Sequence, residues 1–280
     1  MIRKLLLTAA GAALVGWVLW GNSALQVSEY DVLSSRLPDG FEGFRIAQIS
    51  DLHNAEFGNN NEKLLSALAG MKPDIIVFTG DLIDCRNLNI PVAVSFAQAA
   101  GEIAPCYFAA GNHEARIPEF PELLRGLASA GVTVLRNEKI RLTRNGDTIT
   151  LMGVDDPTFQ VDYITGDCRP VMTAALTRLM EAEQNYTVLL SHRPELASIY
   201  RNFSVDLTFS GHTHGGQFRL PFIGGLIAPN QGFFPKYDAG VFTEDSGTMV
   251  VSRGLGPSIV PLRIGNRPEV VVAELHRQER

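Results

Sequence analysis

The chain has 280 residues, 45% of them hydrophobic, with a formal net charge of −6 and a pI near 5.5. This length can bury a full core in one large α/β domain or in two small ones. The acidic balance argues against a nucleic-acid-binding protein, which normally presents a basic face. The sequence shows no internal repeat of about 20 to 50 residues, and this absence argues against a repeat architecture.

The N-terminal segment differs from the rest of the chain. Arg3 and Lys4 precede an uncharged apolar run, Leu5 to Trp20, and both tryptophans of the chain lie at the far end of that run. As a helix the run would span roughly 24 Å, whereas a membrane hydrocarbon core is about 30 Å thick. Residues 21–27 could extend it. We interpret residues 1–28 as an uncleaved signal anchor, with a cleaved signal peptide or a buried core helix as alternatives.

With Arg3 and Lys4 kept in the cytoplasm, everything after residue 28 would lie outside it. We therefore expect a single-pass protein of the cell membrane with residues 29–280 as an extracytoplasmic domain, or a secreted protein if the segment is cleaved. Cysteine usage does not decide the compartment. Cys85, Cys106 and Cys168 could form one disulfide and would leave one thiol free.

The remaining chain divides into a regular and a less regular half. The regular half has predicted strands at 44–50, 74–79 and 106–110 and predicted helices at 62–71, 92–103 and 120–130. This alternation implies right-handed crossovers and a largely parallel sheet. The other half has predicted strands at 133–135, 140–143, 148–154, 187–191, 205–210, 248–252 and 269–275 and a helix at 171–183. Since no Pro-, Gly- or Ser-rich linker separates the halves, we favour one domain with two sheets facing each other.

Short polar clusters follow five of the predicted strands. Each cluster lies at the C-terminal end of its strand, which is the edge where open α/β sheets form ligand sites. The clusters supply Asp51, His53, Asp81, Asn112, His113, His192, His212 and His214. One such residue alone is usually a turn or a helix cap, but five clusters on one sheet edge indicate a shared site. On extended backbone the rings of His212 and His214, two residues apart, would point the same way.

The donor set predicts a metal site. Apart from His113, the candidates are imidazole nitrogens and carboxylate or amide oxygens, a set that suits Mn²⁺, Fe or Zn²⁺ and is too nitrogen-rich for Ca²⁺ or Mg²⁺. Seven ligands are too many for one tetrahedral ion and suit two ions that share a carboxylate. Two divalent ions bring +4, and Asp51 and Asp81 bring −2, which leaves about +2 for hydroxide and an anionic substrate. Such a pair of ions stabilises the attacking and leaving oxygens of a displacement at phosphorus.

The same residues resemble, in order, the five sequence blocks of calcineurin-like metallophosphoesterases. The blocks are Asp51-x-His53, Gly80-Asp81-x-x-Asp84, Gly111-Asn112-His113-Glu114, His192 and Gly211-His212-x-His214. The resemblance runs from about residue 44 to 275. The anchor-like start and Ser191-His192-Arg193-Pro194-Glu195 are similar to the membrane-associated bacterial YkuE- and YaeI-like phosphodiesterase branch. The resemblance implies an α/β fold, a four-layer αββα sandwich of two facing mixed sheets flanked by helices, here preceded by an N-terminal hydrophobic helix.

The resemblance also implies a role for each site residue, within a catalytic domain spanning 29–280. Asp51, His53 and His214 would hold one divalent ion, Asn112, His192 and His212 a second, and Asp81 would bridge the two. The ions would be manganese, iron or zinc, and a hydroxide between them would be the nucleophile. His113 would help the leaving oxygen depart. Asp84 would be the carboxylate partner of His113, unless it is an ordinary cap.

The leading functional hypothesis is a hydrolase of phosphomonoesters or phosphodiesters at the outer face of the membrane. A dinuclear hydrolase of carbon–nitrogen bonds and a non-catalytic metal-binding envelope protein are the alternatives. We expect a monomer that binds a phosphate-ester substrate, contacts the membrane through its N-terminal helix and binds no nucleic acid. Cys85 stands where animal and plant phosphatases of the family have an arginine, which argues against protein phosphatase activity.

Two further features bear on the substrate. The segment from Phe218 to Phe242 is rich in aromatic and aliphatic residues. It is either a loop packed over the second sheet or an apolar surface that faces lipid or a lipid-linked substrate. Candidate phosphate contacts are Arg193, Arg253, Arg263 and Arg267.

Overall fold

The computed structural model describes residues 2–244, 247–258 and 260–278. Its helices are α1 (Ile2–Ser23), α2 (Glu62–Met71), α3 (Ile90–Gly101), α4 (Phe120–Ser129), α5 (Cys168–Leu179) and α6 (Ala197–Asn202). Its strands are β1 (Gln26–Ser34), β2 (Phe44–Ile49), β3 (Ile75–Thr79), β4 (Cys106–Ala109), β5 (Thr133–Val134), β6 (Glu138–Arg144), β7 (Asp147–Gly153), β8 (Tyr186–Leu190), β9 (Leu207–Ser210), β10 (Arg219–Leu220), β11 (Gly224–Gly225), β12 (Ile227–Ala228), β13 (Gly232–Phe233), β14 (Gly240–Glu244), β15 (Gly247–Val251) and β16 (Glu269–Arg277).

Most strands belong to two six-stranded mixed sheets. The first has the order β1-β16-β2-β3-β4-β5, and its strands β2 to β5 run parallel while β16 is antiparallel to β2. The second has the order β14-β15-β9-β8-β7-β6, with four parallel central strands between antiparallel edge strands. The pairs β10/β11 and β12/β13 form two small hairpins outside these sheets.

The two sheets face each other across a common core, and helices cover their outer faces. Fully buried side chains from both sheets meet in this core, among them Ile46, Val77, Leu151, Val188 and Phe209. Helices α2, α3 and α4 pack on the outer face of the first sheet, and α5 and α6 pack on that of the second. Each such apolar side chain contributes about 1.5–3 kcal/mol on burial. The predicted α/β fold with mixed sheets flanked by helices is confirmed.

Local chemistry explains where the elements near the site begin and end. Helix α2 ends at Met71, as predicted, because Lys72 adopts a left-handed φ of 49° and Pro73 cannot continue a helix. Strand β3 is buried along its whole length. Its continuous apolar sequence is typical of a parallel strand covered on both faces. The strand brings Gly80 and Asp81 to the edge of the first sheet.

The N-terminal helix α1 corrects one prediction. Trp17 and Trp20 are 48% and 53% exposed, so α1 is not a buried core helix. Across the residues that the structure describes, none of the helices is both long and apolar enough to cross a membrane. The division of the chain at residue 28 stays a prediction.

The three cysteines, whose state the sequence left open, form no disulfide. Cys85, Cys106 and Cys168 are all free thiols, so the disulfide that the sequence allowed does not form among them. Burial raises the pKa of the Cys106 thiol to about 12. At neutral pH this thiol is therefore a small buried apolar group and not a nucleophile.

Candidate metal centre

The polar clusters lie at the C-terminal ends of strands from both sheets. Asp51, Asp81 and Asn112 follow β2, β3 and β4 of the first sheet, whereas His192 and His212 follow β8 and β9 of the second. The clusters therefore line two facing sheet edges and not the single edge that we predicted. The structure brings together and buries all seven predicted metal ligands: Asp51, His53, Asp81, Asn112, His192, His212 and His214.

Asp51, His53 and His214 form the first group, with their ligand atoms within 4.8 Å of one another. Oδ1 of Asp51 lies 3.5 Å from Nε2 of His214 and 4.0 Å from Nε2 of His53. Both ring nitrogens of His53 and Nδ1 of His214 are buried without a hydrogen-bond partner among the described residues. Because buried polar atoms almost always have a partner, these nitrogens point to a ligand held by the group.

His192, His212 and Asn112 form the second group. Nε2 of His192 lies 3.1 Å from Oδ1 of Asn112 and 3.2 Å from Nδ1 of His212. On its other side, Nδ1 of His192 donates a hydrogen bond to the carbonyl of Thr79 at 2.8 Å. That bond leaves Nε2 as the ring nitrogen that faces the site, as in histidines that bind metals.

Asp81 lies between the two groups. Its Oδ2 is 3.2 Å from Nε2 of His192 and 3.6 Å from Nε2 of His53, while its Oδ1 accepts the backbone N–H of His113 at 2.8 Å. Ligand atoms bound to one ion at about 2.0–2.2 Å stand roughly 3.0–3.5 Å apart. The donor atoms of both groups have about this spacing, so the residues fit two divalent ions that share Asp81.

Burial dominates the protonation of these groups. It lowers the pKa of His53 and of His212 to about 3 each and raises the pKa of Asp51 to about 6. His192 is the exception. Burial alone would lower its pKa, but the neighbouring carboxylates of Asp81 and Asp51 raise it to about 10. The two carboxylates stabilise a proton on His192 by electrostatic attraction. For the same reason they would stabilise a divalent cation at this position.

Five candidate ligand residues have a backbone in the left-handed region. Their φ values are 50° for Asp51, 48° for His53, 54° for Asp81, 69° for His212 and 47° for His214. Such conformations cost about 1–3 kcal/mol each and cluster at functional sites. They also correct the expectation for His212 and His214, since β9 ends at Ser210 and the two histidines are not extended. The turn instead directs the two rings to different groups.

A buried network supports His212 from outside the site. Nε2 of His212 lies 3.0 Å from Oδ1 of Asn230, which also accepts from Nη1 of Arg193 at 3.2 Å. Arg193 is fully buried and paired with Asp156, with a distance of 2.6 Å between Nε and Oδ2. Nε2 of His212 therefore carries the proton, and its Nδ1 faces His192. Nothing in the local sequence around Asn230 indicated this contact.

His113 lies beside the two groups, and its Nε2 is 3.9 Å from Oδ2 of Asp81. Its Nδ1 accepts the backbone N–H of Cys85 at 3.1 Å. Oδ1 of Asp84, the predicted partner, lies 3.3 Å from the same nitrogen. Both oxygens of Asp84, however, receive hydrogen bonds from Arg86, at 3.0 and 2.7 Å. Position 85 is a cysteine, but the next residue, Arg86, is an arginine. It uses both oxygens of the Asp84 carboxylate as hydrogen-bond acceptors.

Glu114 connects the ends of two adjacent strands. Its carboxylate accepts backbone N–H groups from Asp81, Leu82 and Gly111, each at 2.8 Å. Glu114 is fully buried, and burial raises its pKa to about 7. The side chain therefore holds the loops after β3 and β4 in register and does not face the metal groups.

The four arginines predicted as phosphate contacts are all engaged elsewhere. Arg193 pairs with Asp156, and Arg253 pairs with Glu269 at 2.7 Å. Arg263 donates to the backbone carbonyls of Arg253 and Gly256, and Arg267 donates to those of Ala24 and Leu25. These side chains stabilise loops, so the prediction that they contact phosphate finds no support.

The apolar segment 218–242 forms the two small hairpins and exposes large side chains. Phe222 is fully exposed, and Ile223, Phe233 and Phe234 are 60%, 71% and 62% exposed. Two residues of this segment, Ile227 and Asn230, line a groove of about 480 Å³ together with Tyr163, Ile164, Thr213, Gln217 and Val260. Thr213 stands between His212 and His214, so the groove adjoins the metal-ligand groups.

Fold and site together define a metallophosphoesterase-type hydrolase: two facing mixed sheets present imidazole, carboxylate and amide groups at their adjoining edges. The sequence profile of the calcineurin-like phosphoesterase family matches residues 44–216. The chain belongs to this family, whose members use a dinuclear metal centre, and it is accordingly a hydrolase of phosphoesters.

The chain is similar to two curated bacterial proteins and to one solved structure. The metallophosphoesterase YkuE of Bacillus subtilis (strain 168) is 32% identical over 260 residues, which cover 90% of this chain and 85% of YkuE. The phosphodiesterase YaeI of Escherichia coli (strain K12) is 31% identical over 245 residues, covering 85% of this chain and 84% of YaeI. The structure of TT1561 of Thermus thermophilus shares the fold with a TM-score of 0.52 at 14% identity, over 75% of this chain and 89% of that chain.

Proposed function

We propose that this protein is a phosphodiesterase that works with two divalent ions, manganese, iron or zinc. The observation that carries the proposal is the position of Asp81, whose Oδ2 faces His53 of one ligand group and His192 of the other. The similarity to the phosphodiesterase YaeI supports a diester as the substrate. When bound, the two ions would neutralise charge at phosphorus and lower the pKa of a coordinated water.

The chain supplies the remaining steps. Asp51, His53 and His214 would hold one ion, Asn112, His192 and His212 would hold the other, and both ions would share Asp81. His113 acts on the leaving group. Because its Nδ1 accepts the N–H of Cys85, the proton of the neutral ring resides on Nε2, the nitrogen that faces Asp81 and the site. From there the Nε2–H can donate a hydrogen bond to the departing ester oxygen and stabilise the negative charge that develops on it.

The surface around the centre supports a substrate with an apolar portion. Exposed side chains such as Phe222, Phe233 and Phe234 are uncommon on a soluble surface and mark interaction sites. The groove is lined by Ile227, which pairs with Phe233 in a hairpin, and by Thr213, the residue between His212 and His214 in the sequence. We propose that the phosphate lies over the ligand groups while the apolar portion of a lipid- or cell-wall-linked ester occupies this groove. Action at the outer face of a membrane stays a prediction.

Hydrolysis of bis-p-nitrophenyl phosphate by the full chain with Mn²⁺ tests the proposed reaction. We expect turnover that a chelator abolishes, and that Asp81→Asn reduces by several orders of magnitude because the shared carboxylate is lost. Metal-loaded protein that cleaves no phosphate ester would favour a non-catalytic metal-binding protein. Cleavage of amides in place of esters would favour the carbon–nitrogen hydrolase.

A paired substitution tests the apolar portion of the substrate. Phe233→Ser with Phe234→Ser removes two exposed rings without touching the ligand groups. We expect turnover of a phosphodiester presented in vesicles to fall at least tenfold, while turnover of the soluble ester changes less than twofold. Equal losses on both substrates would show that the rings serve folding and not substrate binding.

A further inference from the structure

Arg116 lies in the turn that follows the candidate ligand Asn112 and the candidate catalytic residue His113. Its backbone N–H donates to the carbonyl of His113 at 3.2 Å, and its Nε donates to the carbonyl of Asn112 at 3.1 Å. The guanidinium is stacked on Tyr163, with 4.6 Å between Cζ and the ring centroid. The Nε contact and the aromatic face therefore hold the guanidinium, and the backbone contact fixes the turn that carries it, next to Asn112.

Unlike its neighbours, this cation is not neutralised. Arg86, Arg193 and Arg253 are paired with Asp84, Asp156 and Glu269 at 2.6–2.7 Å. Within the described part of the chain, no carboxylate lies within 4.0 Å of the Arg116 guanidinium, and its two Nη atoms donate no hydrogen bond. Arg116 is also exposed to solvent. A fixed, unpaired and accessible guanidinium is suited to bind an anion, because its N–H groups match the oxygens of a phosphate in pairs.

Tyr163 connects Arg116 to the path of the substrate. The ring on which Arg116 stacks is also part of the wall of the 480 Å³ groove, together with Thr213 and Asn230. The guanidinium therefore lies against one residue of the groove wall, 4.6 Å from the centre of its ring, and its Nε contacts the backbone of the candidate ligand Asn112.

We propose that Arg116, held over Tyr163, is a substrate-binding residue whose free Nη groups grip non-bridging oxygens of the phosphate. This inference rests on the proposed function and adds an anion contact that is not a metal ion. Its role is in binding. Truncation should raise KM and weaken phosphate binding, and should leave kcat nearly unchanged.

The test compares Arg116→Ala and Arg116→Lys with Arg125→Ala, a matched control at a position of α4 away from the ligand groups. Loss of a hydrogen bond to a charged group weakens binding by about 10- to 100-fold. In metal-loaded full-length protein we expect Arg116→Ala to raise KM for bis-p-nitrophenyl phosphate at least tenfold, with kcat within about twofold. Arg116→Lys should give an intermediate KM, because an ammonium keeps the charge but loses the paired geometry. Arg125→Ala should match the wild type.

Calorimetric titration with inorganic phosphate gives a readout that needs no turnover. We expect the phosphate Kd to rise about as much as KM in Arg116→Ala, with the metal content unchanged. An unaltered phosphate Kd would overturn the inference, and so would a change that appears only together with metal loss. If the wild type cleaves no ester, the proposed function fails, while the titration still decides whether Arg116 binds phosphate.

Discussion

The backbone N–H of Cys85 donates to Nδ1 of His113 at 3.1 Å, and this bond decides which nitrogen of the ring carries the proton. Asp84 comes within 3.3 Å of the same nitrogen, but Arg86 already donates to both of its oxygens. The loop after β3 therefore orients His113 mainly through its backbone. Asp84, the predicted carboxylate partner of His113, instead binds Arg86.

This geometry predicts different results for His113 and Asp84. His113→Asn removes the Nε2–H that can donate to the leaving oxygen and should lower kcat about 10²- to 10³-fold. Asp84→Asn keeps the Cys85 contact and should lower kcat less than about tenfold. Steady-state kinetics with equal metal loading measures both. A loss in Asp84→Asn as large as that in His113→Asn would mean that the Asp84–His113 pair forms in the working enzyme.

The turn that separates His212 from His214 predicts selective metal loss. His214 faces Asp51 at 3.5 Å, whereas His212 faces His192 at 3.2 Å. Because each ring contributes to a different group, His214→Ala and His212→Ala should each reduce the bound metal from about two equivalents to about one. Elemental analysis after gel filtration gives the stoichiometry. Loss of both equivalents in either variant would indicate one cooperative site.

We predict that Asn230 affects metal affinity although it is not one of the candidate metal ligands. Its Oδ1 lies 3.0 Å from Nε2 of His212 and fixes the orientation of that ring. Asn230→Leu removes the acceptor and should weaken binding of the ion near His212 about 10- to 100-fold. Asn230→Asp keeps an acceptor and is the matched control. Metal titration measures both affinities, and equal affinities in the two variants would show that the contact does not orient His212.

Gly211 predicts a steric effect on the first ligand group. A Cβ at this position would lie 1.9 Å from Oγ of Ser50 and 2.3 Å from Oδ2 of Asp51, two atoms that share a hydrogen bond of 2.6 Å. Gly211→Ala should therefore lower the free energy of unfolding by about 1–3 kcal/mol and displace Asp51. Denaturant unfolding measures the change.

Gly70 provides the control for that substitution. It lies inside α2 with nothing within 4 Å of an added Cβ. Gly70→Ala should therefore stabilise the protein by about 0.5–1 kcal/mol. If Gly211→Ala were as stable as Gly70→Ala, the crowding around Asp51 would not be rigid.

Local sequence signals predicted most of the fold that positions the site. Helix α2 has the predicted bounds because Lys72-Pro73 stops a helix by local chemistry alone. Strand β1, in contrast, was not predicted. It pairs in parallel with β16 at the other end of the chain, and its mostly half-exposed side chains give no apolar run to detect.

The site shows the same division between local and long-range signals. The ligand residues could be predicted because each belongs to a short block directly after a strand. The supporting contacts of Asn230 and Arg116 could not, since they depend on elements distant in sequence. Asn230 is 18 residues from His212 and 37 from Arg193, and the stacking of Arg116 depends on the loop that carries Tyr163. No spacing in the chain encodes either contact.

The distribution of ligands over two sheets links metal binding to the mechanical integrity of the domain. Asp51, Asp81 and Asn112 come from the first sheet, and His192 and His212 from the second. An ion that takes donors from both sheets would cross-link the two sheets. Separating the sheets then requires breaking coordination bonds as well as exposing the apolar core. Removing the ions would remove both the catalytic metal and this cross-link. Chelation should therefore lower the free energy of unfolding together with the activity.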